Sequence, residues 1–411
     1  MYVFPPMRNK MKNPDILVVG GGASGIIAAI TAAGRGAAVT VLERGKKPLL
    51  KLLRTGNGRC NLTNTGSDRS VYHGTDPSFA HEILKNFSVQ ETISLFLGLG
   101  VYTTNHDGWV YPYSEQAESV AKNMLLECSR LHVKIKNNES VTGIAETASG
   151  FDVSTKTWTY HADRVILSTG SSASLSDPED ENGPSLAASL GLPCVKRTPA
   201  LVPLITENIK KPGWAGVRIF GKVTLYAGDL FICSEEGQLQ LTDYGISGIP
   251  VFCISGNAAK LMDAGQRCSV TIDFFPEMDA AALHAFLDFR KERLRRKEPD
   301  LLLTGLFPEK LIPVLTRKNT LTDTRALTET IKSFRLKLKG TLGARSAQVL
   351  GGGVSTDAVD PETCESRLHP GLFLTGELLD IDAACGGWNL QFAWSTGVLA
   401  GRAAAKEMDN V

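Results

Sequence analysis

Residues 16–43 constrain the chain more tightly than any other stretch. Ile16-Leu17-Val18-Val19 is an unbroken apolar, largely β-branched run, the pattern of a strand buried on both faces. Gly20-Gly21-Gly22-Ala23-Ser24-Gly25 follows it, Ile26–Ala33 reads as a helix of small and apolar residues, and Ala38–Leu42 reads as a second buried strand ending at Glu43. Strand, tight turn, helix and strand make a βαβ unit with a short crossover. The glycines satisfy G-x-G-x-x-G: Gly20 allows the turn, Gly22 lets backbone approach a pyrophosphate, and Gly25 lets helix pack closely on strand. The free N–H groups of the helix that follows the motif then face the phosphates, with Ala23 and Ser24 among the expected contacts. Glu43 can accept hydrogen bonds from an adenosine ribose diol, disfavours a 2′-phosphate there, and has Arg44 beside it. The whole constellation predicts a dinucleotide site.

The same stretch carries no charge from Ile16 to Gly34 and follows Arg8, Lys10 and Lys12, which superficially resembles a signal peptide or short membrane span. A glycine triplet in its middle does not suit a uniform apolar helix. We expect no membrane span, a cytoplasmic location, and a loose leader over the first ten residues with Met11 as an alternative start.

Further along, Arg164–Gly170 and Leu372–Gly376 repeat the form of a buried strand stopped by glycine, and Gly387–Ala405 reads as a helix of small and apolar residues. Residues from about 195 to 275 alternate like strands, as in Lys222–Tyr226 and Gln238–Leu241, with Glu236-Gly237 as an expected turn. From about 278 to 332 the pattern turns helical, with Leu283, Phe286, Leu287, Phe289 and Leu294 as a stripe and Arg295-Arg296-Lys297-Glu298 as a solvated end. A length of 411 residues suits two or three domains. The expected division is an α/β, Rossmann-like domain in two pieces (1–193 and 346–411), a β-barrel-like insert (194–277 and 333–345) and a small helical insert (278–332).

Two more segments carry chemistry. Thr55–Asn64 packs Gly56, Gly58, Arg59 and three asparagines into ten residues, a loop suited to a large polar ligand. Thr375-Gly376-Glu377 and Gly386-Gly387-Trp388-Asn389-Leu390-Gln391 end a strand and open a helix. Such a helix N-terminus can face a flavin pyrimidine edge, where reduction places negative charge. FAD is therefore the favoured dinucleotide.

Composition removes other classes. Lys plus Arg is 44 and Asp plus Glu 43, a net charge of +1, which argues against nucleic acid as a partner. The eight cysteines form no C-x-x-C pair and no histidine cluster joins them, so neither a metal site nor a disulfide framework is expected. Cys60 and Cys385 lie too far apart in sequence for the usual redox pair of a flavin disulfide reductase. Gly351-Gly352-Gly353 is followed by no helical pattern, so no second dinucleotide domain is expected.

The stretches ILVVGGGASG, LLRTGNGRCNLTN, DGWVYPYSEQAESV, GGGVSTDAVDPETCES and GLFLTGELLDIDAACGGWNLQFAWSTG resemble, in order and over nearly the whole chain, a bacterial family of NAD(P)/FAD-dependent oxidoreductase flavoproteins. That family includes 3-dehydro-bile acid delta(4,6)-reductase and aminoacetone oxidase. The resemblance implies a two-piece FAD domain with an inserted β-barrel and a small helical domain. Position by position, it implies FAD contacts at Gly20, Gly22, Ser24, Gly25, Glu43, Arg59, Cys60, Asn61, Gly376, Glu377, Asn389, Leu390 and Gln391, and it matches Lys51 to a basic position that meets phosphate; Ala23, Arg44, Gly58, Thr169 and Gly170, beside these, are further expected cofactor contacts. One departure stands out: Asp243 occupies a barrel position where the family often has histidine, so an acid–base role for that histidine does not transfer.

The leading expectation is a reductase of an enone in a small molecule such as a 3-oxo-4-ene steroid or bile acid intermediate, with NADH or NADPH docking transiently as reductant. Candidate acids are Tyr244, His106 and Tyr111, with Tyr113 behind them. The alternatives are an oxidase of a small amine such as aminoacetone, and a flavin-binding protein that is no oxidoreductase or that modifies RNA. The oligomeric state stays open.

Overall fold

The computed structural model describes residues 15–66, 68, 70–174, 182–207, 213–294, 301–317 and 323–405. The expected leader, Met11 and the 295–298 charge run lie outside these. The chain divides into two compact units: Met1–Ser171, Asp180–Lys196 and Gly352–Val411 form the first, and Ser172–Glu179 with Arg197–Gly351 the second.

The first unit is built on a five-stranded parallel sheet in the order Leu372–Leu374, Arg164–Leu167, Ile16–Val19, Val39–Glu43, Lys134–Asn137. Its opening strand is wholly buried, as its unbroken apolar run requires. The opening helix spans Ala23–Ala33 and begins three residues earlier than its apolar pattern alone suggests. The closing helix Trp388–Ala405 lies against it at glycine contact distance. A Cβ on Gly397 would sit 2.5 Å from the Ser24 carbonyl, and one on Gly401 would sit 2.6 Å from that of Ala28. Both helices are therefore rich in small residues because their backbones nearly touch. A smaller three-stranded sheet, Thr63–Asn64, Trp109–Pro112 and Thr103–His106, completes the surroundings of the site.

The second unit holds a closed six-stranded antiparallel barrel in the order Leu204–Thr206, Gly245–Gly248, Leu230–Leu241, Arg218–Ala227, Cys268–Asp273, Phe334–Thr341. The helices Ala280–Leu294 and Thr324–Lys332 share its hydrophobic cluster, through residues such as Leu283, Leu287, Leu327 and Ile331. Lys332 Nζ pairs with Asp273 Oδ2 at 2.6 Å and donates to the carbonyls of Phe275 and Met278, tying helix to barrel.

Two sequence expectations change here. Glu236-Gly237 is no turn but lies inside the strand Leu230–Leu241, with Gly237 opposite Gly221. Gly237 is needed because a Cβ there would reach within 3.0 Å of the Pro250 ring. The hairpin instead turns at Gly228-Asp229, between the paired Ala227 and Leu230. In the helical stripe, Leu283 and Leu287 are fully buried, but Phe289 is 56% exposed and lies under the Arg293 guanidinium. The Gly351–Gly353 triplet sits within the strand Val349–Val354.

Candidate functional site

The glycine turn has a distinct cause at each position. Gly20 takes φ +105°, donates to the Leu42 carbonyl at 2.9 Å, and would place a Cβ 2.4 Å from the Ser168 carbonyl. A Cβ on Gly25 would sit 2.0 Å from the Gly20 carbonyl. Gly22 differs, because a Cβ there would meet no heavy atom within 4 Å. The helix that follows has no acidic residue in its first turn and no side-chain cap, so its first N–H groups are left for an anion in the open space at Gly22. Ala23 and Ser24 form that first turn, with Ser24 buried.

Glu43 ends the second strand and is held by backbone donors. Its Oε2 accepts from Gly21 N–H at 2.8 Å and its Oε1 from Gly45 N–H at 2.6 Å. A carboxylate has about four acceptor sites, so two bonds leave room for a diol. Arg44 is half-buried beside it.

The expected contacts Lys51 and Glu377 meet each other. Lys51 Nζ lies 2.5 Å from Glu377 Oε2 and 3.2 Å from Ser171 Oγ, which itself donates to Glu377 Oε1 at 2.5 Å. Ser171 joins three chain segments here, and sequence reading missed it because nothing but its place after Thr169-Gly170 marks it. Gly376 takes φ +64° and donates to Thr396 Oγ1 at 3.0 Å. Gly170 and Gly58 also have positive φ and open space where a Cβ would be. Thr169 Oγ1 is buried without a partner.

Asn61 fits a bound polar group most plainly. The residue is 7% exposed, and both its Oδ1 and its Nδ2 lack a hydrogen-bond partner. A buried amide left so costs about 1–3 kcal/mol, which a polar ligand would relieve. It faces the second glycine turn, since a Cβ on Gly387 would lie 2.8 Å from Asn61 Oδ1. That turn opens the closing helix, where Asn389 and half-buried Leu390 carry first-turn N–H groups. The Asn389 side chain is used locally, bonding both N–H and carbonyl of Ala383 at 2.9 and 2.8 Å. The Gln391 side chain is used within the protein. It is fully buried, accepts from Thr63 Oγ1 and donates to Thr92 and Ser395 hydroxyls, so no amide atom is left for a ligand. Cys60 is fully buried too, and burial pushes its thiol up to about 12, which opposes any thiolate chemistry with Cys385. The open glycine cradle, unpaired Asn61 and the bare helix start together fit a dinucleotide such as FAD.

The candidate acids separate. His106 and Tyr111 meet on the small sheet with ring centroids 6.0 Å apart. The Arg59 guanidinium lies 4.9 Å over the Tyr111 ring. Glu115, which sequence reading passed over, places one oxygen 3.3 Å from His106 Nε2 and the other 3.9 Å from Arg59 Nη1. Tyr111 is 5% exposed, and burial raises its phenol pKa, against a lowering by Arg59. Tyr244 belongs to the second unit, half-buried in a turn where its carbonyl accepts from Thr206. Exposed Tyr113 packs edge-on against Tyr102.

Parallel sheet, glycine turn and two-piece assembly define a Rossmann-type FAD-binding domain joined to a closed barrel, the build of an FAD-dependent oxidoreductase. The chain belongs to the HI0933-like protein Rossmann domain family, whose model matches residues 14–403. It is 42% identical over 402 residues to a 3-dehydro-bile acid delta(4,6)-reductase of Clostridium scindens, covering 95% of this chain and 98% of that one. It is 27% identical over 401 residues to a ribosomal RNA dihydrouridine synthase of Escherichia coli, covering 94% and 96%. Among solved structures, a 3-ketosteroid-delta4-(5alpha)-dehydrogenase from Rhodococcus jostii aligns over 98% of this chain and 100% of its own, with 15% identity and a TM-score of 0.49. Among the described residues no helix is long and apolar enough to cross a membrane, and no group of side chains could hold a metal ion.

Proposed function

We propose that this chain is an NAD(P)H-linked, FAD-dependent reductase of a carbon–carbon double bond conjugated with a carbonyl, acting on a small molecule such as a 3-oxo-4-ene steroid or bile acid intermediate. The likeness to the 3-dehydro-bile acid delta(4,6)-reductase, spread over 95% of the chain, carries this reading. The dihydrouridine synthase adds chemical support, because the reducible bond of uridine is also conjugated with a carbonyl. FAD held in the glycine cradle would, once reduced by NADH or NADPH, supply the hydride that the β-carbon takes. A proton then reaches the α-carbon, and the carbonyl oxygen carries negative charge in between.

The residues divide the labour of binding. Gly22, Ala23 and Ser24 offer backbone to the pyrophosphate, Glu43 the ribose, and Asn61 with the Gly387 turn the flavin end. Net charge of +1 favours a small molecule over RNA. None of the relatives described above is named as an amine oxidase.

The test is anaerobic reduction of the yellow protein by NADH and NADPH separately, then reoxidation by a panel. Reoxidation by a 3-oxo-4-ene steroid, but slowly by oxygen, is expected. Reduction by aminoacetone with fast oxygen turnover would sink the reading in favour of the oxidase. Reoxidation only by ribosomal RNA would move it to the nucleic-acid substrate.

A further inference from the structure

On the small sheet, His106 pairs with Trp109 in register, and so does Asn64. Register partners share a face, and so do residues two apart, so Asn64, His106, Trp109 and Tyr111 all stand on one side. That side meets the Gly386-Gly387 turn: Asn64 Nδ2 donates to the Gly386 carbonyl at 2.9 Å, and a Cβ on Gly386 would come 3.6 Å from the Trp109 ring. The face thus presents its polar groups beside the turn that the proposed function assigns to the flavin.

Three donors gather there. Arg59 stacks on Tyr111, His106 lies beside Tyr111, and the Tyr111 hydroxyl has no hydrogen-bond partner among the described residues. Among the described residues the anion paired with the cluster is Glu115, which reaches both His106 Nε2 and Arg59 Nη1. Its backbone sits at φ +50°, a region that non-glycine residues rarely adopt, and its side chain is 45% exposed. A half-exposed carboxylate can swing out into water at little cost.

We propose that Arg59, His106 and Tyr111 form an oxyanion site for the substrate's carbonyl oxygen, and that the Glu115 carboxylate occupies that position until substrate displaces it. This inference rests on the conjugated-carbonyl reading above. In that reaction hydride adds to the β-carbon, the carbon–carbon π pair moves toward the carbonyl, and the oxygen becomes anionic until the α-carbon takes a proton. Donors already aimed at that oxygen stabilise the charge more than they stabilise the neutral ketone. A phenol pKa raised by burial keeps Tyr111 protonated and able to donate. A substrate without an oxygen that gains charge gives these donors nothing to bind.

The phenolic steroid equilenin tests this without turnover, because its phenolate imitates the anionic oxygen and has its own absorption and fluorescence. FAD-loaded protein at neutral pH should bind it partly ionised. Tyr111→Phe and His106→Gln should each lower the bound ionised-to-neutral ratio about tenfold, the worth of one hydrogen bond to a charged group. Glu115→Ala should raise that ratio, since it removes the competing anion. FAD content, read from flavin absorbance, separates these effects from lost cofactor. An ionised fraction equal in all four proteins, or lowered by Glu115→Ala, overturns the oxyanion site. A protein that ionises equilenin as expected yet reduces no enone would overturn the proposed function alone.

Discussion

Lys51 Nζ lies 2.5 Å from Glu377 Oε2, although 326 positions separate the two residues in the chain. The contact ties the start of the FAD domain to its C-terminal piece, and Ser171 hydrogen-bonds both partners. The side chains are 30% and 18% exposed, so solvent screens the pair only partly. Lys51→Met and Glu377→Gln should each cost about 1–2 kcal/mol, seen as a melting temperature lower by a few degrees. The double variant should lose clearly less than the sum of the singles, because both remove one interaction. Strict additivity in a thermal double-mutant cycle would mean the two side chains act apart.

Gly25 and Gly22 should respond oppositely to alanine. A Cβ on Gly25 collides with the Gly20 carbonyl, and no rotamer relieves a clash with backbone. Gly25→Ala should destabilise even the FAD-free protein by about 3 kcal/mol. Gly22→Ala places its methyl in space that no protein atom fills. The FAD-free protein should melt as wild type does, while FAD affinity falls. Thermal melts with and without added FAD decide it; a destabilised FAD-free Gly22→Ala would mean that protein, not ligand, uses that space.

The first strand, turn, helix and second strand were legible because each obeys a local rule: buried strands are continuously apolar, and a pyrophosphate turn needs glycines at fixed spacing. The site beyond them was legible only in part. Asn61 could be singled out from its loop, but that its amide lacks a partner depends on Gly387, far along the chain. Gln391 reads as equally polar, yet Thr63 and Thr92 from two other segments, with Ser395 one turn further along its own helix, consume it. Gly237 reads as a turn in the sequence because a close Pro250 and a tight turn both call for glycine. Glu115 lies within the stretch DGWVYPYSEQAESV, but nothing there singles it out; only the folded chain brings it to His106 and Arg59.

His369 should make stability depend on pH. Its Nδ1 lies 2.8 Å from Glu146 Oε2 and its Nε2 2.6 Å from the Leu190 carbonyl, so both ring nitrogens face acceptors and the imidazolium suits the site. The bond to Glu146 chiefly raises its pKa above the ordinary 6.5. With the folded value raised, the stabilisation is full below 6.5 and is lost as pH rises through the raised value. His369→Gln should flatten the fall in melting temperature between about pH 6 and 8. An unchanged slope in that variant would assign the pH dependence to other groups.

Asn61 gives the sharpest test of where the cofactor lies. In the FAD-free protein its buried amide pairs with nothing, so Asn61→Leu, of similar size, removes a desolvated group and loses no hydrogen bond. The FAD-free variant should be as stable as wild type or more so, by up to about 1–3 kcal/mol. FAD affinity should move the other way, falling roughly tenfold or more, because the ligand loses a buried polar partner. Melting curves of deflavinated protein, with FAD titration by flavin fluorescence, read both quantities on one sample. An FAD-free variant markedly less stable than wild type would show that the amide serves the protein itself, and unchanged FAD affinity would place the flavin away from the Gly387 turn.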